Sequence, residues 1–159
     1  MGTENGNLMI NIQQFDHAGV RITDRDRALK FYAALGFKIH LEVDFDAVIV
    51  IKNANDVEIN LVVNGVDLND GKNILMDVPE KHTGITHIAL RVESILEAMK
   101  TLEENDIAIS QGPVTFGGDG HVSVFIRDPD RNTIELRDRL ENEDNIPGLE
   151  FYDPMHKAE

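Results

Sequence analysis

A repeat within the chain constrains its fold more than any single residue does. The stretch 15–39, FDHAGVRITDRDRALKFYAALGFKI, and the stretch 85–109, ITHIALRVESILEAMKTLEENDIAI, align without a gap at a constant offset of 70 residues. His17 meets His87, Val20 meets Leu90, Arg21 meets Arg91 and Ile22 meets Val92. Further along, Ala28 meets Ala98, Leu29 meets Met99, Lys30 meets Lys100, Phe37 meets Ile107 and Ile39 meets Ile109. One shared histidine is a cheap coincidence. An ungapped register that also keeps the apolar pattern is not. A duplication of this kind predicts two copies of one supersecondary unit around a common core.

Each copy reads as a strand, a helix and three further strands. In copy one, 15–22 is a strand and Thr23 or Asp24 caps the helix that follows. Asp26 stands three residues after Thr23, in a capping-box spacing. Ala28, Leu29, Tyr32 and Leu35 form the apolar stripe, and Gly36 stops the helix. In copy two, Ser94 and Glu97 make the fuller capping box, with Ile95, Ala98, Met99 and Leu102 as the stripe. The later strands fall near 37–43, 47–52 and 57–64 in copy one, and near 107–110, 122–127 and 133–137 in copy two. Asn53–Asp56 and Asp128–Asn132 are the turn-rich separators. The fold class is therefore α+β: two tandem βαβββ modules forming a curved mixed sheet around a cleft, with helices on the outer face. Residues 1–159 read as a single domain. Module one spans about 15–64, a polar linker 65–83, module two about 84–138, and an acidic tail with Pro147 and Pro154 spans 139–159.

Charge and composition narrow the partners. Twenty-nine Asp and Glu against fifteen Lys and Arg give a formal net charge of −14. Such a surface repels nucleic acid and anionic lipid, so neither is expected as a partner. It leaves room for an anionic small molecule wherever arginines reverse the local field. There is no cysteine, so disulfides and thiolate metal sites are impossible, and any bound metal must use His, Asp, Glu, Asn or water. Residues 1–14 have neither a basic n-region nor an apolar h-region, and no run approaches the roughly 18 apolar residues of a membrane span. A cytoplasmic location is the expectation.

Strand parity then sorts the side chains, because successive residues point to opposite faces. Ala18, Val20 and Ile22 face the helix, while Phe15, His17, Gly19 and Arg21 face away. In the matching strand Ile88, Leu90 and Val92 face the helix, while His87, Ala89 and Arg91 face away. Ile59 and Leu61 oppose Glu58, Asn60 and Asn64, and Ile134 and Leu136 oppose Thr133, Glu135 and Arg137. His121, Ser123, Phe125 and Arg127 share one face of their strand, the same face as Glu135 by parity. Every candidate ligand thus falls on the side of the sheet away from the helices. Two imidazoles and a carboxylate there suit a first-row divalent ion and leave coordination positions for substrate. A lone strand histidine is more often a surface group, and the repeat is what singles out His17 and His87; His40, His82 and His156 read as surface residues.

With the βαβββ duplication, a histidine in the first strand of each module and a closing D-P-D-x-N-x-I-E-L at Asp128–Leu136, the chain resembles the vicinal oxygen chelate superfamily. That group includes glyoxalase I, methylmalonyl-CoA epimerase, extradiol dioxygenases, fosfomycin-resistance enzymes and bleomycin-binding proteins. The resemblance covers roughly residues 15–138. It implies that His17, His87 and Glu135 hold a divalent ion (Ni, Zn, Mn, Co or Fe), and that the last strand of module one supplies a fourth ligand. Aligning Ile134-Glu135-Leu136 on Ile59-Asn60-Leu61 puts Asn60 in that place, where glyoxalase I has a glutamate; Glu58 is the alternative. Arg21 and Asn64 match part of the glutathione-binding set of glyoxalase I, and a surface salt bridge is the competing reading of Arg21. His121 and Phe125 are further substrate-side candidates, His121 being either an acid–base group or a solvated strand end.

The activity the resemblance implies is lyase or isomerase chemistry of a glyoxalase type. A metal-stabilised enolate would form on a small substrate with neighbouring oxygens, possibly a thiol conjugate, and Glu135 would move the proton. An extradiol-type ring-cleaving dioxygenase and a non-catalytic antibiotic-binding protein are the alternatives. A homodimer is the expected assembly. Gly112–Gly120, GPVTFGGDG, reads as a mobile wall over the cleft.

Overall fold

The structure is a computed structural model that describes residues 8–152. Module one contains β1 (Ala18–Arg21), α1 (Arg25–Ala34), β2 (Lys38–Glu42), β3 (Val48–Lys52) and β4 (Glu58–Val62). Module two contains β5 (Ile88–Arg91), α2 (Ile95–Glu104), β6 (Ile109–Phe116), β7 (His121–Arg127) and β8 (Thr133–Arg139). A 3-10 turn at Leu140–Asn142 and a last strand β9 (Glu150–Tyr152) follow. The strands order as β1-β4-β3-β2 in one sheet and β5-β8-β7-β6-β9 in the other. In both sheets the first strand pairs parallel with the last strand of its module, and the remaining module strands pair antiparallel. The sheets curve without closing into a barrel, as the duplicated pattern predicts. Among the described residues no helix is long and apolar enough to cross a membrane.

The helices start where their caps dictate. Asp24 caps α1 by accepting from the Arg27 amide at 2.9 Å, which decides between Thr23 and Asp24. Asp26 pairs with Arg25 instead of closing a box. Ser94 caps α2 by accepting from the Glu97 amide at 3.2 Å. The return bond does not come from the Glu97 side chain; Asp138 of β8 accepts from the Ile95 amide at 3.0 Å and anchors α2 to its own sheet. Gly36 ends α1 at φ +97, a conformation that a Cβ disfavours. Ala28, Phe31, Tyr32, Ile95 and Leu102 then bury against Ile59, Leu61, Val122, Val124 and Ile134 in one continuous core. The parity assignment holds: Ile59 and Leu61 are buried toward the helices, while Glu58 and Asn60 alternate with them on the other face.

The first strand, expected over 15–22, begins only at Ala18 and leaves His17 just outside it, and two further segments differ from the sequence expectation. Strand β6 runs on through Phe116, so half of the Gly112–Gly120 segment is sheet and only the turn after it is loop. Two register shifts interrupt β6, one between Ile109 and Gln111 and one between Gln111 and Val114 that takes in Gly112 and Pro113, and such bulges hide a strand from periodicity. The acidic tail is not loose throughout. Glu150–Tyr152 adds to the edge of β6 in parallel, a three-residue strand too short to leave a pattern. The end of the tail, with Pro154 and His156, lies outside the described residues.

The modules are joined by polar contacts that the sequence pattern does not show. Tyr32 of α1 donates to Asp128 at 2.8 Å across 96 residues of chain. Thr23 and Arg27 both reach Asp130. The linker is fastened by Asp77, which takes Arg127 at 2.9 Å and Arg131 at 3.0 Å. Hydrogen bonding from Arg131 holds the Asp77 carboxyl well below the usual carboxylate range.

Candidate functional site

A cavity of about 880 Å³ borders the free edges of both sheets, lined by β1 and β5 residues together. His17, Arg21, Glu58, His87, Asp130 and Thr133 are among its walls. The duplication places His17 and His87 just before their strands, and the parallel partners β4 and β8 bring acidic side chains alongside each.

On the module-one side, His17 Nδ1 lies 2.6 Å from Asp16 Oδ1 and 3.8 Å from Glu58 Oε2. Lys52 Nζ stands 3.8 Å from the other Glu58 oxygen. Asn60 pairs across from Gly19 in the register of the sheet. Its side-chain oxygen is buried and has no hydrogen-bond partner among the described residues. An amide oxygen left in that state is costly unless something satisfies its lone pairs.

On the module-two side, His87 Nε2 lies 3.1 Å from Glu135 Oε1. His87 Nδ1 is 2.8 Å from Thr86 Oγ1, which fixes the ring from behind. Phe125 meets the His87 ring edge-on with centroids 5.7 Å apart, and Phe116 packs on Phe125 at 6.1 Å. Glu135 is only 5% exposed and accepts from Ser123 Oγ at 2.5 Å. Thr86 carried no signal in the sequence beyond adjacency to His87, and Ser123 only its place on the cleft face.

The structure thus brings His87 together with Glu135 and Phe125, and His17 together with Glu58. Among the described residues, the group of three or more His, Asp or Glu side chains whose ligand atoms all lie within 4.8 Å of one another is Asp16, His17 and Glu58. His17, His87 and Glu135 do not form such a group, although both histidines line the same cavity. Arg21 and Asn64 do meet: Arg21 Nε donates to Asn64 Oδ1 at 3.0 Å. Among the described residues Arg21 has no carboxylate partner, which leaves its terminal amino groups turned to a ligand or water. His121 lies apart, at the other end of β7 opposite Arg139 and held by Asp119.

Two βαβββ units, a histidine heading each and a carboxylate beside each histidine, define a duplicated α+β fold whose cleft carries a set of nitrogen and oxygen donors. The chain belongs to the glyoxalase/bleomycin resistance protein/dioxygenase superfamily, whose family model matches residues 14–136. It is 28% identical over 129 residues to the glyoxalase domain-containing protein RDO1 of Mycosarcoma maydis, covering 80% of this chain and 69% of that one. An integron cassette protein from the mobile metagenome of V. cholerae is 25% identical, with a TM-score of 0.59 over 82% of this chain and 98% of that one. A glyoxalase/dioxygenase from Nostoc punctiforme is 21% identical and shares the fold, with a TM-score of 0.65 over 87% of this chain and 97% of that one.

Proposed function

We propose that the protein is a divalent-metal-dependent enzyme of glyoxalase type, acting as a lyase or isomerase on a small molecule with two neighbouring oxygens. The observation that carries this reading is that the two repeat-related histidines line one cavity, each next to a carboxylate. His17, His87 and Glu135 are the proposed ligands, with Asn60 Oδ1 or Glu58 as the fourth donor. The His87–Glu135 half of the donor set is spaced for such an ion, whereas His17 would have to be drawn in from its place beside Asp16 and Glu58. Two neighbouring ligands on a first-row ion, each bonded at about 2.0–2.2 Å, stand about 3 Å apart. His87 Nε2 and Glu135 Oε1 are separated by 3.1 Å. The unpartnered oxygen of Asn60 is a lone-pair site of the kind that coordination satisfies. Sulfur-free imidazole and oxygen donors admit Ni, Zn, Mn, Co or Fe.

An ion bound there supplies Lewis acidity toward paired substrate oxygens. The protein does the rest. Glu135, displaced from the ion, would move a proton at Oε1, the oxygen turned toward His87. Arg21, oriented through Nε by Asn64, offers its two terminal amino groups to an anionic part of the substrate. Phe125 and Phe116 exclude water behind the His87 ring. Phe15 and Ile85, repeat equivalents at the cavity wall, stay about four-fifths exposed in the single chain. Such uncovered apolar side chains favour assembly as a homodimer.

The test is metal content. Wild-type protein reconstituted with each of the five ions should retain close to one per chain after desalting, by elemental analysis. His17→Ala and His87→Ala should each lose most of it. Lyase turnover of a hemithioacetal should track the bound ion. Equal retention by both variants and the wild type would refute the assignment.

A further inference from the structure

The two modules differ in how the residue at the heart of each sheet is held. Glu135 and Asn60 are equivalents: each sits on the last strand of its module, opposite Ala89 or Gly19 of the first strand. Each also faces a residue of the neighbouring antiparallel strand, Phe125 for Glu135 and Val50 for Asn60. Two residues earlier on that neighbour, on the same face, module two has Ser123 and module one has Val48. A diagonal position of this kind is within reach of a side chain on the facing strand. Ser123 uses it, donating to Glu135 Oε2 at 2.5 Å. Val48 has no hydroxyl, and the Asn60 oxygen is left without a partner.

We infer that Ser123 is a positioning residue. Its hydroxyl pins one oxygen of Glu135 and so turns the other toward His87, fixing the carboxylate for metal binding. This rests on the metal reading above.

Ser123 is 1% exposed, so solvent does not compete for its single donor. Its backbone is fixed on both sides, by Arg137 in β8 and Val114 in β6. With Oε2 engaged by Ser123 and 3.7 Å from Arg137 Nη1, the remaining oxygen, Oε1, stands 3.1 Å from His87 Nε2. A carboxylate without that donor could rotate about its last torsion, whose barrier is low. Hydroxyls and carboxylates that orient a metal ligand typically account for about 10–100-fold in affinity. Among the described residues Asn60 of module one has no such donor, so the preorganised half of the site is module two.

The experiment titrates Co2+ alone into the metal-free full-length chain and reads visible absorption for affinity and coordination. Ser123→Ala should weaken Co2+ binding by about 10–100-fold and change the absorption envelope. Ser123→Thr keeps the hydroxyl and should bind as the wild type does. Ser123→Cys, close to serine in size with a weaker donor, should fall between, and it carries the test if the alanine variant does not fold. A Ser123→Ala protein with a lowered melting temperature but wild-type affinity and spectrum would overturn the inference and leave the metal reading intact. A wild type that takes up no Co2+ would overturn both.

Discussion

Replacing Tyr32 with phenylalanine removes one hydroxyl from the seam between the modules. Tyr32 is 1% exposed and its OH donates to Asp128, itself 2% exposed, at 2.8 Å. The ring stays: its edge contacts with Phe31 at 5.0 Å and Phe37 at 6.2 Å need no hydroxyl, so no cavity opens. What is lost is a hydrogen bond to a charged group, worth about 1.5–3 kcal/mol. Asp128 keeps the Asp130 amide at 2.9 Å, the Asn132 amide at 2.9 Å and the Asn132 side chain at 2.8 Å. The cost therefore falls near the low end, about 1.5–2 kcal/mol, or roughly 3–8 °C in melting temperature for a domain of this size. The deficit should also depend on pH. Burial pushes the Asp128 carboxyl above its ordinary range, and the Tyr32 hydrogen bond partly offsets that. A carboxyl raised in the folded state holds its proton better folded than unfolded, so stability is lost as pH rises through its folded value. Removing Tyr32 OH raises it further, so the deficit must widen toward neutral pH and shrink in acid. Burial keeps Tyr32 itself protonated, with its own ionisation pushed far above the tyrosine range. Urea unfolding of both proteins at about pH 7 and about pH 4 measures this. A Tyr32→Phe deficit below about 0.5 kcal/mol at neutral pH, or one equal at both pH values, would refute the reasoning.

Asp77→Asn should unfasten the linker from Arg127 and Arg131 and cost about 3 kcal/mol, the low end for breaking a partly buried pair. Because the Asp77 carboxyl is depressed in the folded state, its stabilisation is present above the unfolded value and fades as pH falls through the folded one. Acid titration of the melting temperature should show the two proteins converging below about pH 4, and parallel curves would contradict the assignment. Gly112→Ala should be poorly tolerated, since the added Cβ would sit 2.4 Å from the Ser123 carbonyl oxygen at φ +103. A loss of at least about 2 kcal/mol in chemical denaturation is expected, and a neutral outcome would mean that β6 can shift away from β7.

Much of the architecture is legible in the residues because it is periodic. The 70-residue offset fixes two modules, alternation assigns faces, and Asp24, Ser94 and Gly36 mark helix ends. Periodicity fails where geometry departs from it. The bulged β6 hides its strand behind Gly112 and Pro113, and β9 is too short to show one. The Asp128–Leu136 motif is readable as a family signature, yet its two aspartates turn out to serve the seam: Asp128 takes Tyr32, and Asp130 takes Thr23 and Arg27.

The candidate site divides in the same way. Sequence alone singles out His17 and His87, because register within a repeat is a local property of the chain, and Glu135 only through its place in the family-like Asp128–Leu136 motif. It does not reveal that Glu58 stands by His17, that Asn60 lacks a partner or that Ser123 grips Glu135. Those contacts join strands whose spacing is set by hydrogen-bonded sheet register. A donor three ångströms from an acceptor is a fact of that packing, and no pattern along one strand encodes it.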